Sequence, residues 1–360
     1  MGDNPSRSAD AEAGGPGVTN GHTGSAGLGV SPGATLPAGP PDGMGGGGAL
    51  PRKTRFGMET GFRTLTSAAG AMVLVIIVAI AVFLIARAAP ALSANTVNFF
   101  TYEGWSPNSA QPAFGIGALA FGTVLSSALA LLVAVPIALG IALFLSHYAP
   151  RRVATWLGFT IDLLAAVPSV VFGLWGRDVF YRPVADFSVW LNTYFGWLPI
   201  FGGDGPFGRS IMLGALVLAI MVLPIVTSLS REVFLQTPTM NEEAALALGA
   251  TKWEMIRTSV LPYGGPGVIA AVMLGLGRAL GETIALALTL GITFDISFNL
   301  IQNGGNTIAA NIANAFGEAN ETGRGALIAS GLVLFAITLV VNMIARAVIY
   351  RRKEFTGGTL

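Results

Sequence analysis

The chain has 360 residues, 52% of them apolar and only 11% charged, with a mean hydropathy of +0.66. That is the composition of a membrane protein, and a net charge of +1 offers no electrostatic case for binding nucleic acid. With no cysteine and only two histidines, His22 and His147, disulfides, thiolate chemistry and a His-rich metal site are excluded.

Residues 1–55 are rich in Gly, Pro, Ser and Ala and cannot bury enough apolar surface to offset chain entropy, so a disordered tail is expected there. The run GMGGGGALP within it is a flexible segment and not a phosphate loop, because no Gly-Lys-Ser/Thr follows. The first apolar run starts near Ser67, too far along for a signal peptide. A membrane domain is expected over 56–352, with a helical hairpin at 239–262, and a short tail over 353–360.

Six apolar segments are long enough to cross a bilayer, near 67–88, 114–146, 153–176, 208–230, 266–290 and 325–349. An all-α polytopic membrane protein follows. The second segment is overlong and holds Pro136, so it should kink or begin at the interface. Basic residues set the orientation. Arg52, Lys53, Arg55, Arg63, Arg151, Arg152, Arg231, Lys252, Arg257, Arg346, Arg351, Arg352 and Lys353 fall on one side. Arg87, Arg177, Arg182, Arg209 and Arg324 fall in longer loops on the other. Both termini and the hairpin are therefore expected in the cytoplasm.

The loops on the far side, roughly 89–113, 177–207 and 291–324, carry Tyr102, Trp105, Trp190, Tyr194 and Trp197. These suit interfacial anchors. The Asn-rich stretch 299–314 reads as a loop or a short polar helix. In the third span, Asp162 lies near the interface, and Pro168-Ser169 interrupts the helix with a freed carbonyl that Ser can help satisfy. A kink that lines a pathway and a plain kink fit equally well. Pro224, with Thr227 and Ser228, does the same in the fourth span.

The segment TMNEEAALALGATKWEMIRTSVLP follows. Thr239 with Glu242, and Thr251 with Glu254, each make an S/T-x-x-E capping box. Gly249 stands at a C-cap position between them, and Pro262 closes the second helix. Ala244, Ala245 and Leu248 share one face; Trp253, Ile256 and Val260 share another. Beyond a Gly/Pro turn, an apolar helix carries Arg278 and Glu282 four residues apart. Charges at membrane depth face a bundle interior or an aqueous cavity and are functional candidates. The alternative is an ion pair that only fixes packing, although Arg before Glu is the weaker order. Gly277 and Gly281 form G-x-x-x-G, a close-packing face toward a helix of this chain or of a partner.

Glu243-Ala244-Ala245, Gly249 and Leu261-Pro262 are spaced as in the EAA loop of ABC importer permeases. The apolar position expected before Leu-Pro falls instead at Ser259, with Val260 beside it. With MLGLGRALGET (Met273 to Thr283) and AAVPSVVFGLWG (Ala165 to Gly176), the chain resembles PstC-type permeases of phosphate-specific ABC importers from roughly Arg63 to Arg352. The resemblance implies a type I importer permease fold with about six spans, in a bacterial inner membrane. It implies that the hairpin docks on an ATPase, with Glu243 at the contact and Gly249 at the turn. It further implies a second related permease, two ATPase subunits and an extracytoplasmic phosphate-binding protein as partners.

Phosphate carries one to two negative charges and several acceptors, and an Arg fork suits it. Arg278 is therefore placed on the passing anion, with Glu282 positioning it or accepting from a protonated phosphate. Pro168 and Ser169 are placed on the same pathway. Of the three lysines, Lys53, Lys252 and Lys353, none follows a glycine, so no Walker A loop exists. ATP and Mg are expected in the partner ATPase and no cofactor in this chain. No catalytic triad or zinc motif appears, so an enzyme is not expected. Two other readings remain: a permease for sulfate or molybdate, and a stand-alone secondary transporter, for which the hairpin would have no use and no internal repeat is evident.

Overall fold

A computed structural model describes residues 56–356. The expected tail over 1–55, with Arg52, Lys53 and Arg55, lies outside the described residues, as do residues 357–360. The residues up to Phe62 form a unit of their own, whose described part opens the first helix; Arg63 onward forms the second unit.

Helix α1 runs Phe56–Ala94 and a two-residue ladder pairs β1 (Trp105–Ser106) with β2 (Ala113–Phe114). Helix α2, Gly117–Leu143, passes across Pro136 without a break and ends in a π-helical turn, Phe144–Tyr148. Next come α3 (Arg151–Ala165), α4 (Ser169–Trp175), a π-turn at Gly176–Phe180, α5 (Tyr181–Phe195) and α6 (Ile211–Leu235). The hairpin is α7 (Thr239–Ala247) and α8 (Lys252–Met255); a third π-turn, Ile256–Val260, leads into α9 (Leu261–Leu280). The short helices α10 (Ile284–Thr289) and α11 (Ile308–Ala315) precede α12 (Glu321–Thr356). Among the described residues, five helices are long and apolar enough to cross a membrane, or six if the bent run from α3 to α5 is one span.

The core is built on α2, α6 and α9. Ala130, Ala134, Ala138 and Ala142 recur every fourth residue of α2 and are all fully buried. A stripe of single methyl groups lets two helix backbones approach closely, and this stripe meets Leu218, Ala219, Met221, Val222 and Val226 of α6. Helix α9 meets the same valines: a Cβ at Gly275 would reach Val222 Cγ1 at 2.8 Å and Val226 Cγ2 at 2.9 Å. Helix α1 differs: Met72 to Ile85 are almost all exposed, and near its end Ala88 and Ala91 are buried. In a membrane that surface faces lipid or a neighbouring protein.

Two expected spans prove to be broken. The third turns through 89° between Ala165 and Ser169. Pro168 (φ −58°, ψ 138°) becomes the N-cap of α4, because a proline here cannot donate the bond that would continue α3. The helix then resumes through Phe195, so much of the expected 177–207 loop is helical. The fifth expected span, 266–290, ends at Leu280 and restarts at Ile284. Conversely, Pro262 does not close the hairpin, and no Gly/Pro turn follows. The π-turn before it lets Leu261 N–H bond to the Ile256 carbonyl, and Pro262, at the second position of α9, has no N–H for the shifted ladder to satisfy. Lys252–Leu280 is one continuous helical run.

Candidate functional site

The hairpin closes at Gly249. Its φ of +85° lies in the left-handed region that costs other residues roughly 1–2 kcal/mol. Gly249 N–H donates to the Leu246 carbonyl (2.9 Å) and Ala250 N–H to the Ala245 carbonyl (3.2 Å), the two bonds of a Schellman cap. Thr251 and Glu254 form the expected capping box, with Thr251 N–H donating to Glu254 Oε2 at 2.8 Å. The expected Thr239–Glu242 box does not form. Pro238 is the cap, Thr239 already lies inside α7, and no side chain caps it. The Glu242 carboxylate turns instead to His147, with Oε1 3.4 Å from Nε2.

The faces also differ from the expected ones. Ala245 turns inward against the buried cluster of Ala142, Phe234, Met255, Ile256 and Val260. Leu248 and Trp253 do not join it and are 91% and 55% exposed. Met240 is likewise exposed, and so are Glu243 and Ala244. Leu261 is half-buried at the base and Pro262 exposed. A short hairpin with an apolar tip held out from the bundle offers a docking surface.

The second region is the interruption between α9 and α10. Gly281 caps α9, with its N–H on the Gly277 carbonyl at 3.3 Å. Glu282 therefore lies past the helix end and not on one continuous face with Arg278. Its side chain is buried, and Oε1 accepts a hydrogen bond from Ala285 N–H at 3.1 Å, holding the first turn of α10. Arg278 is exposed, and no ion pair joins it to Glu282. Gly277 has open space where a Cβ would stand, so the expected close packing at Gly277 is not made within this chain. Leu274, Gly277, Arg278 and Gly281 form one exposed strip along α9.

The two interruptions come together in space. Helix α4, which starts at Ser169 after Pro168, packs on α10. A Cβ at Gly173 would reach Ala285 Cα at 2.8 Å, and one at Gly176 would reach Val217 Cγ2 at 2.7 Å. The segment after Pro168-Ser169 and the segment after Glu282 are thus neighbours, although more than a hundred positions separate them in sequence. The Asn-rich stretch is a loop as far as Thr307, which caps α11, and its remainder from Ile308 is the first part of that helix.

Several residues that sequence reasoning passed over hold these parts in place. Arg209 Nη2 donates to the Leu288 carbonyl at the end of α10 (3.3 Å), a favourable position for a cation. Its own carbonyl accepts from Gly291 (3.1 Å) and Gly304 (2.9 Å). Thr123 of α2 accepts from Ile308 N–H of α11 at 3.0 Å. Arg231 of α6 lies over Gly158 of α3, its Nε buried and without a hydrogen-bond partner. Periodicity exposes none of these, since each partner is remote in sequence.

A multi-pass helical membrane protein with broken inner helices and a projecting hairpin has the architecture of a transport permease. The chain belongs to the family of binding-protein-dependent transport system inner membrane components, whose model matches residues 134–354. It is 49% identical over 292 residues to the phosphate transport system permease protein PstC 2 of Mycobacterium tuberculosis, covering 80% of this chain and 90% of that one. It is 43% identical over 299 residues to the PstC permease of Xylella fastidiosa (strain Temecula1), covering 81% and 91%. Among solved structures, a bacterial ABC transporter for the acidic polysaccharide alginate aligns with a TM-score of 0.47 at 17% identity, over 64% of this chain and 78% of that one.

Proposed function

We propose that this chain is a transmembrane permease subunit of an ATP-driven ABC importer that carries inorganic phosphate into the cytoplasm. The observation that carries the reading is the hairpin. It is closed at Gly249 and Thr251, and it holds Met240, Leu246, Leu248 and Trp253 exposed. Exposed apolar residues on so short an element have a use if a partner covers them. The relatives named as phosphate transport permeases, which match most of the chain, point to the cargo.

In this reading the hairpin docks on an ATPase subunit through Glu243, Ala244 and the apolar tip, with Gly249 setting the turn. Two ATPase subunits, which use the ATP and Mg, sit on the cytoplasmic side, as do both termini. The exposed strip of α9 faces a second, related permease. Arg278, on that strip, meets the passing phosphate with its planar fork of donors. Glu282 acts indirectly, by fixing the start of α10. The segment at Pro168 and Ser169 lines the same passage through its packing on α10. An extracytoplasmic binding protein delivers phosphate to the loops at the opposite end of α6 from the hairpin.

The test is labelled phosphate uptake in cells that lack their own transporter, with excess sulfate as competitor. Uptake should depend on this chain, resist sulfate, and vanish in Glu243→Arg while the protein remains in the membrane. Uptake unaffected by Glu243→Arg would remove the docking role of the hairpin. Uptake of sulfate instead would reassign the cargo.

A further inference from the structure

We infer that His147 and Glu242 form the contact through which movement of the hairpin reaches α2, so that this pair sets how tightly ATP hydrolysis is coupled to phosphate movement. The inference rests on the reading of the hairpin as the ATPase docking element. The anchoring of α7 motivates it. Helix α7 fully buries none of its residues, and only Ala245 packs partly into the neighbouring core cluster. Apolar burial therefore does little to fix α7 against the bundle, and polar contacts decide its position.

One of those contacts stays within the hairpin's own run, where Ser259 Oγ donates to the Asn241 carbonyl at 3.2 Å. The other crosses to α2. His147 sits in the π-turn that ends α2, with its side chain 7% exposed, and Nε2 faces Glu242 Oε1 at 3.4 Å. A carboxylate only accepts, so Nε2 carries the proton in this contact. Nδ1 lies 2.7 Å from Ser146 Oγ, which in turn lies 2.8 Å from the Ala142 carbonyl. Ala142 is the last of the buried alanines that seat α2 on α6. Nδ1 and the Ala142 carbonyl both accept, so the single hydroxyl proton of Ser146 serves one of them at a time, and the path from Glu242 runs through His147 to Ser146 beside the last turn of α2.

A second clasp lies alongside it. Lys252, at the start of α8, holds its Nζ 4.9 Å from the centre of the Tyr148 ring. Both helices of the hairpin therefore grip the same five-residue π-turn, an element that tends to occur where helices serve function. Among the described residues no other charged side chain is within ion-pair distance of His147 or Glu242. Neither residue touches the passage itself, so both are positioning residues.

The test uses the whole transporter reconstituted in proteoliposomes, with phosphate uptake and ATP hydrolysis read in the same sample. His147→Ala and Glu242→Ala should each leave hydrolysis near wild type and lower phosphate moved per ATP by about fivefold or more, the lower end of ordinary coupling energies. The chain has no cysteine, so with partner subunits whose own cysteines are replaced, His147→Cys with Glu242→Cys gives one defined thiol pair. Joining that pair with a short bis-thiosulfonate linker, verified by mass, should restore the yield, and a reductant should abolish it again. A merely structural role would not follow the linker in this reversible way. Single variants with wild-type yield, or a verified crosslink that restores nothing, would overturn the inference. Wild-type vesicles without ATP-dependent phosphate uptake would instead fault the functional reading and leave the pair aside.

Discussion

Glu282 Oε1 accepts a hydrogen bond from the Ala285 N–H at 3.1 Å, so a buried carboxylate that looks from sequence like a partner for Arg278 is a helix cap. Losing such a cap costs about 0.5–2 kcal/mol. Glu282→Ala should therefore lower the thermal unfolding midpoint of the purified protein, whereas Glu282→Gln, which keeps an acceptor oxygen, should stay near wild type. Equal midpoints for Ala and wild type would show that the cap contributes nothing.

Arg278 should behave in the opposite way. It is exposed and unpaired with Glu282, so Arg278→Ala should leave stability unchanged and reduce phosphate uptake by one to two orders of magnitude, the loss expected when a charge-assisted hydrogen bond of about 1.5–3 kcal/mol is removed. Arg278→Lys should recover only part of it, because an ammonium lacks the bidentate fork. Normal uptake in assembled complexes carrying Arg278→Ala would remove this residue from the pathway.

At the hairpin tip, fold and docking can be separated. Leu248 is 91% exposed, and Leu248→Asp should change stability by less than about 0.5 kcal/mol, as surface substitutions do. Copurification of the ATPase should nonetheless fall sharply. Gly249→Val, which forces a β-branched residue to φ +85°, should lose both, with roughly 1–2 kcal/mol or more of backbone strain. Retained ATPase binding in Leu248→Asp would place the docking surface elsewhere.

Two glycines should respond differently to the same change. A Cβ at Gly158 would meet Arg231 Nη1 at 2.7 Å, the end of a flexible side chain that can swing away. A Cβ at Gly173 would meet Ala285 Cα at 2.8 Å, which is backbone and cannot. Gly173→Ala should therefore destabilise by the 1–3 kcal/mol typical of overpacking, and Gly158→Ala by much less. Thermal unfolding of the two variants side by side decides it, and a reversed order would contradict this account of the α4–α10 contact.

The chain's own sequence determined the membrane class, the approximate positions of the spans, and the hairpin with its Gly249 turn and Thr251–Glu254 box. These are local properties: a run of apolar residues is long enough to cross a bilayer whatever it packs against, and a glycine at a left-handed position answers to its own φ. The tertiary structure alone decided what Glu242 and Glu282 bind. Each carboxylate had a plausible partner a few residues away, Thr239 and Arg278, and each went elsewhere. Glu242 turned to a histidine 95 positions back, and Glu282 to a backbone N–H freed when α9 ended at Gly281. The same holds for the faces of the helices. Ala130 to Ala142 repeat every fourth residue in plain view, but only the arrival of α6 makes that stripe the centre of the core, because close approach is a property of two helices and not of one.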